Sequence, residues 1–189
     1  AFGNCKKLSE VLVPSSVTLI SSYAFANCVS LTTLKIPNSI KQIEDGVFKG
    51  CTNLSEIDIP NSVTKIPEGA FYGCESLLRV SIPDSVTFIG KNAFKKCAKL
   101  NNLKVPNSVQ TIENAAFQEC FSLSNITIST SLTKLSKCLF DECTSLLEFT
   151  VNSKVTVIEN DAFKKCLSLK KVVIPNSVTE IQSSAFRGC

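Results

Sequence analysis

The chain alternates apolar and polar positions in a pattern that returns every 23 residues. In one such unit, the segment Leu54-Ser55-Glu56-Ile57-Asp58-Ile59-Pro60 sets Ile57 and Ile59 between acidic neighbours. Alternation with period 2 is typical of a β-strand that buries one face. Because Pro60 cannot donate a ladder hydrogen bond, we expect it to end this strand. The segment is called the first strand of the unit.

A second apolar segment follows the turn residues Asn61 and Ser62. Val63 and Ile66 predict a short extended segment, called the second strand. A variable turn then leads into the block Ala70-Phe71-Tyr72-Gly73-Cys74, for which we predict a tight helical or 3₁₀ turn that points Ala, Phe and Cys inward.

Glycine precedes the Ala-Phe block in two units, at Gly46 and Gly69. A residue that tolerates positive φ is useful there, because the chain must turn sharply out of the second strand. The Pro that ends the first strand is replaced by Ser129 and Asn152 in two adjacent units. We expect a looser turn in those two units.

Phe and Cys mark the repeat along the whole chain. Phe occurs at 2, 25, 48, 71, 94, 117, 140, 163 and 186, and Cys follows three residues later each time. A fixed period of 20 to 50 residues is the signature of a solenoid. Eight units and five further residues account for all 189 residues, without an insertion or deletion.

The repeat predicts a single elongated domain. Eight positions are apolar in nearly every unit: Leu54, Ile57, Ile59, Val63, Ile66, Ala70, Phe71 and Cys74, with their counterparts every 23 residues. One unit cannot bury eight such side chains, whereas stacked units bury them as a continuous core about 40 Å long. Repeat arrays need atypical end units, and neither end is atypical. We therefore expect residues 1–189 to belong to a longer array.

The unit Leu54–Cys74 closely resembles the BspA-like leucine-rich repeats, the Treponema-type class with 23-residue units. The resemblance covers the whole chain, with small departures such as Leu139 for Ala and Phe149 for Ile or Val. It implies an α/β-type repeat solenoid, a right-handed superhelix with a parallel sheet on its concave side. Short strands or 3₁₀ or helical turns are expected on the other side.

The cysteines pose three alternatives: core packing, disulfides or a reactive thiol. Nine of the ten recur in phase with the aliphatic columns, so we expect reduced core thiols. Zinc sites need clustered Cys and often His, but the chain has no His and only Cys138 and Cys143 lie close together. No metal or other cofactor is expected. Cys138, off the ladder, is either a reactive thiol or an incidental surface residue.

Composition argues against several functions. A net charge of +4 from 20 basic and 16 acidic residues is too balanced to indicate nucleic-acid binding. No apolar run approaches the ~18 residues that span a bilayer, so no membrane insertion by this segment is expected. Without His, Ser-His and Cys-His nucleophile pairs are impossible. The pairs Glu44-Asp45 and Asp141-Glu142 are expected in exposed turns, and we predict no enzyme activity.

The outward residues of the first strands vary from unit to unit, whereas the core columns hardly change. They form two columns on the predicted concave side, and Leu12 and Val173 belong to the second column. The candidate partner-binding residues are Glu10, Thr33, Lys35, Glu56, Asp58, Arg79, Ser81, Asn102, Lys104, Asn125, Thr127, Glu148, Thr150 and Lys171. The aromatic residues Tyr23, Tyr72 and Phe88 lie elsewhere, so a convex or lateral site stays open.

Three functional hypotheses follow. Because the resembled family is found on bacterial surfaces and in mucosal protozoa, the first is a cell-surface or extracellular adhesion module. It would bind a protein or glycan of the extracellular matrix, a host cell or another microbe. The second is an intracellular or secreted scaffold for protein–protein interaction, and the third is a structural spacer.

Overall fold

Short parallel strands recur along the whole chain. The computed structural model describes all 189 residues. It has fourteen strands: β1 (Leu19–Ile20), β2 (Gln42–Ile43), β3 (Glu56–Asp58), β4 (Lys65–Ile66), β5 (Arg79–Ser81), β6 (Phe88–Ile89), β7 (Asn102–Lys104), β8 (Thr111–Ile112), β9 (Asn125–Thr127), β10 (Lys134–Leu135), β11 (Glu148–Thr150), β12 (Val157–Ile158), β13 (Lys171–Val173) and β14 (Glu180–Ile181). The three-residue strands are first strands, and the two-residue strands are second strands.

The strands pair in register across one repeat. Glu56 of β3 lies opposite Arg79 of β5, and Ile57 lies opposite Val80. First strands pair as β3–β5, β7–β9 and β11–β13, while second strands pair as β1–β2, β4–β6–β8 and β10–β12–β14. Every pair is parallel and joins residues 23 apart. The molecule is therefore a parallel β-solenoid in which equivalent residues form columns.

The core contains the eight columns that the sequence predicts. In the unit Leu54–Cys74, all eight side chains are buried, as are their counterparts in most other units. They belong to one apolar cluster of 52 residues. Burial on this scale, at roughly 25 cal/mol per Å² of apolar surface, is the main source of stability for a chain with so little regular hydrogen-bonded structure.

Phenylalanine forms the most regular column. Successive rings from Phe2 to Phe186 stack with centroids 5.1–5.7 Å apart and interplanar angles of 4–29°. Phe149 replaces the usual aliphatic residue of the first strand, and its ring lies 5.1 Å from Phe140 and 5.0 Å from Phe163. The 29° tilt between Phe140 and Phe163 coincides with this inserted ring.

The Ala-Phe-x-x-Cys block is not helical. The structure contains no helix, so the α/β description and the helical or 3₁₀ turns expected from the sequence are not confirmed. The N–H groups of Gly69, Phe71 and Gly73 donate to carbonyls of the next unit, with N–O distances of 2.8–2.9 Å. The residues in between donate to the carbonyl three residues earlier. An α-helix needs every N–H for i to i−4 bonds, so this alternation excludes it.

Two columns of left-handed residues make the alternation possible. Gly69 and Gly73 have φ of +58° and +73°, and their counterparts in other units also have positive φ. The sequence predicted the first of these columns from Gly46 and Gly69 but not the second. Several members are not glycine, among them Ala115 at +57° and Glu119 at +60°. Stacking holds these residues in a conformation that L-residues disfavour.

The turn after the first strand depends on its proline only in part. Where Pro is present, its carbonyl accepts the N–H three residues on, as Pro60 does from Val63 at 3.0 Å. Asn152 keeps the equivalent bond at 3.2 Å, so its turn is not looser. The bond is absent after Ser129, whose carbonyl accepts the Asn152 side-chain amide instead. The looser turn is thus confirmed at Ser129 alone.

The neighbouring residues Ala115 and Ala116 allow a direct test of the left-handed column. Ala115→Gly should raise the free energy of unfolding by up to about 1 kcal/mol, because glycine adopts positive φ without the Cβ penalty. Ala116→Gly is the matched control at negative φ, and it should lower stability by about 1 kcal/mol. Urea unfolding measures both. Equal losses for the two variants would contradict the left-handed backbone at Ala115.

Candidate functional site

All fourteen candidate partner-binding residues are exposed. Their exposure follows from the strand itself, because β3 presents Glu56 and Asp58 to solvent while Ile57 points into the core. The other complete first strands repeat this arrangement. The structure therefore places the predicted residues on one continuous surface, which is called the first-strand face.

Arg79 organises the charged part of this face. Its Nη2 lies 3.0 Å from Glu56 Oε2, and its Nη1 lies 3.0 Å from Asp58 Oδ1. Register explains the first contact, because Glu56 and Arg79 are strand partners. Hydrogen bonds to Glu56 and Asp58 raise the pKa of Arg79 above its usual value. The guanidinium carries five N–H donors, so others remain available to a ligand.

Two adjoining grooves lie beside Arg79. One, of about 390 Å³, is lined by Thr33, Lys35, Glu56 and Asp58, and the other, of about 750 Å³, by Arg79, Ser81 and Lys104. They share Asn38, Ile59 and Pro60, and together they are called the trough. These seven predicted residues line it. The remaining seven lie outside it: Glu10, Asn102, Asn125, Thr127, Glu148, Thr150 and Lys171.

Sequence reasoning missed the wall of the trough. Asn38, Pro83, Asp84 and Pro106 line it, and all come from the turn after the first strand. The next residue of that turn fixes it to the preceding unit, since Ser85 Oγ donates to the Val63 carbonyl at 2.7 Å. The recurring Pro-Asn-Ser sequence carried the signal. It was interpreted as turn chemistry alone.

A larger groove, of about 790 Å³, lies on the second-strand side near Glu44, Asp45 and Glu113. These carboxylates hold the backbone: Glu44 Oε2 accepts the Ser22 N–H at 2.9 Å, and Glu113 Oε2 accepts the Lys91 N–H at 3.1 Å. Asp45 Oδ1 accepts the Glu68 N–H at 3.1 Å. The acidic pair Glu44-Asp45 thus has a structural role, as expected for a surface turn.

The repeat geometry and the sequence identify the family. The family model described as the BspA type leucine rich repeat region matches residues 1–97 and 64–189, which together span the chain. The chain belongs to the BspA-type leucine-rich repeat family. The resemblance stated from the repeat unit is therefore confirmed.

Solved BspA-type and other leucine-rich repeat structures share the fold. A leucine-rich repeat protein from Bacteroides ovatus is 31% identical, with a TM-score of 0.85 over 87% of this chain and 43% of that one. The leucine-rich repeat protein of Treponema pallidum is 28% identical, with a TM-score of 0.66 over 92% and 70%. One from Eubacterium ventriosum, at 17% identity, has a TM-score of 0.55 over 97% and 83%.

The chain spans less than half the length of the Bacteroides protein. No curated protein matches it. None of the three similar structures is described as an enzyme. The structure has no helix of the length and apolar character needed to cross a membrane. It brings no three Cys, Asp or Glu side chains together as a metal site.

Seven of the nine BspA-repeat ladder cysteines are buried free thiols, whereas Cys5 and Cys189 are exposed. The expectation that all nine lie in the core is therefore wrong at the two end units, where no neighbouring unit covers the thiol. Cys138 is half-buried, and burial followed by the nearby Asp141 charge raises its pKa. A raised pKa lowers the thiolate population, which argues against an activated thiol.

Labelling of the native protein with a thiol reagent should modify Cys5 and Cys189 quickly and Cys138 more slowly, because reagents need an accessible thiolate. The seven buried thiols, from Cys28 to Cys166, should react only after denaturation. Mass spectrometry of time points locates the modified residues, with Cys138→Ser as the control for that site. Fast modification of any buried thiol in the native state would overturn the assignment.

Asp141 departs from the expected exposed turn, since it is only 4% exposed. Its Oδ2 accepts the Gln118 amide at 2.8 Å, while Oδ1 has no hydrogen-bond partner. Burial raises the pKa of Asp141, although the Lys164 charge and the Gln118 hydrogen bond oppose the shift. Other units hold Lys95 or Tyr72 at this position, so the sequence pattern gave no sign of burial.

The raised pKa predicts a pH-dependent effect of Asp141→Asn. A group with a folded pKa above its unfolded value, about 3.9 for Asp, stabilises the fold below that value. The stabilisation is lost as pH rises through the folded pKa. Asp141→Asn should therefore be more stable than wild type at pH 7, with an advantage that shrinks towards pH 4. Urea unfolding at both pH values, with exposed Asp84→Asn as control, measures this; a pH-independent difference would count against it.

Proposed function

We propose that the chain is a non-catalytic module that binds a protein partner on the first-strand face, with the trough as the main contact. The observation that carries the proposal is the preorganised Arg79 cluster between two grooves on this face. Preorganised polar groups lower the entropy lost on binding. Arginine is also enriched among the residues that dominate protein–protein binding energy.

Sequence variation within the chain supports the same surface. The core columns keep one residue type from unit to unit, but the trough presents Lys35, Asp58, Ser81 and Lys104 along a single column. Lys35 and Lys104 form no ion pair within the chain and flank the paired Arg79. Alternating charges of this kind favour a protein with complementary charges, because such charges mainly confer specificity.

The module is proposed to act at the cell surface, in adhesion to host, matrix or microbial proteins. Its support is the resemblance of the 23-residue unit to repeats found on bacterial and protozoan surfaces. The alternative of an intracellular or secreted scaffold uses the same trough and differs in the partner. A glycan ligand has less support, since Pro60, Pro83 and Pro106 line the trough but no aromatic side chain does.

Binding of the 189-residue protein to purified matrix proteins and to intact host and bacterial cells tests the proposal. Arg79→Glu and Lys104→Glu should each weaken binding about tenfold or more, as expected for loss of roughly 1.4 kcal/mol or more. Lys171→Glu, on the same face outside the trough, and Lys65→Glu, on the second-strand side, should leave binding unchanged. Surface plasmon resonance and cell-binding assays measure the effect.

The controls separate the alternatives. Loss of binding in Lys65→Glu with normal binding in Arg79→Glu would move the site to the second-strand side. Loss in Lys171→Glu alone would keep the first-strand face but remove the trough. Failure of the wild-type protein to bind any of these partners would favour the scaffold or the spacer.

A further inference from the structure

Eight ladder cysteines form a continuous column of S–H to carbonyl hydrogen bonds. Each thiol donates to the carbonyl of the Phe 26 residues earlier, as Cys74 does to Phe48 at 3.2 Å and Cys97 to Phe71 at 3.3 Å. The same bond recurs from Cys28 to Cys189, with Sγ–O distances of 3.0–3.3 Å. No two cysteines form a disulfide. The ladder therefore consists of thiols that link successive units.

Each of these carbonyls depends on the thiol for one of its two bonds. Phe71 accepts the N–H of Cys74 in its own unit at 3.1 Å and the thiol of Cys97 in the next unit. A carbonyl has two lone pairs, and here both are used. Phe71 is fully buried, so removing the thiol proton would leave its carbonyl short of a partner where water cannot replace it.

A disulfide in the ladder is incompatible with this arrangement. Joining two sulfur atoms at about 2.05 Å removes both thiol protons and turns both side chains away from their carbonyls. Neighbouring units are about 4.8 Å apart, which a disulfide could span only by rotating its side chains into the Phe stack. Units two apart are separated by about 10 Å, beyond the 4.4–6.8 Å Cα range of disulfides.

We propose that this domain folds only when its ladder cysteines are reduced, and that the folded array then protects them from disulfide-forming oxidants. In the unfolded chain all ten thiols are accessible. Two of them react with oxidised glutathione to give one protein disulfide and two molecules of reduced glutathione, so two electrons and two protons pass to the oxidant. Such a crosslink fixes two thiols in positions from which the column cannot form.

Folding removes the same thiols from this chemistry. The seven buried thiols are inaccessible to a reagent, and each is held as the donor of a hydrogen bond. Burial also raises the pKa of Cys51, Cys120 and Cys166 to about 12. Because the thiolate is the attacking species in disulfide exchange, these groups react slowly near neutral pH.

The test compares oxidation before and after folding. The 189-residue protein is denatured in guanidinium chloride and transferred to buffer either with dithiothreitol or after treatment with oxidised glutathione. The reduced chain should regain the native circular dichroism spectrum and elution volume, and the oxidised chain should not. Later addition of dithiothreitol should restore the oxidised sample. Recovery of native signals by a chain with ladder disulfides would overturn the proposal.

A second measurement needs no refolding. Native protein is incubated with oxidised glutathione, and free thiols are counted by mass spectrometry. The seven buried thiols should stay free while the denatured chain loses them at least a hundredfold faster; similar rates would overturn the protection. The triple variant Cys5→Ser, Cys138→Ser and Cys189→Ser, which keeps only the buried ladder, should behave as the wild type. Its refolding after oxidation would show that the other cysteines caused the effect.

Discussion

The structure depends on in-register contact between residues 23 apart. Three interactions of different kinds use this one spacing: the Phe rings stack at 5.1–5.7 Å, strand partners such as Glu56 and Arg79 pair, and alternate N–H groups cross to the next unit. Shifting one unit by a single residue would disrupt all three together. The sequence accordingly keeps its period without an insertion while other positions change freely.

Much of the fold could be predicted because the core repeats as a one-dimensional pattern. Period 2 in Ile57 and Ile59 indicated the first strand, and the apolar columns indicated which face is buried. The helical turn was wrong because the block Ala70–Cys74 gives no sign that alternate N–H groups bind another unit. The second left-handed column had a signal in Gly50 and Gly73 that was overlooked, while Ala115 shows that stacking can override backbone preference.

The site was predictable only as a surface. Variation identified the exposed columns, and the 23-residue register sets Glu56 beside Arg79. The trough was not predicted, because its wall comes from turn residues such as Asn38 and Pro83 that were interpreted as chain reversals. Asp141 was misplaced for a related reason. Its burial depends on its surroundings in one unit, and a column of mostly long polar side chains elsewhere cannot reveal that.

The core ladder and the first-strand face place opposite demands on the chain. A change at Lys35 or Arg79 alters the binding surface with little effect on packing, whereas a change at Cys97 affects the carbonyl of the preceding unit. Partner choice can therefore diverge without loss of the fold. The proposed surface location brings the two together, since extracellular conditions favour disulfides. A module with seven buried thiols can work there only if it folds before oxidation, and its own stacking then keeps the thiols reduced.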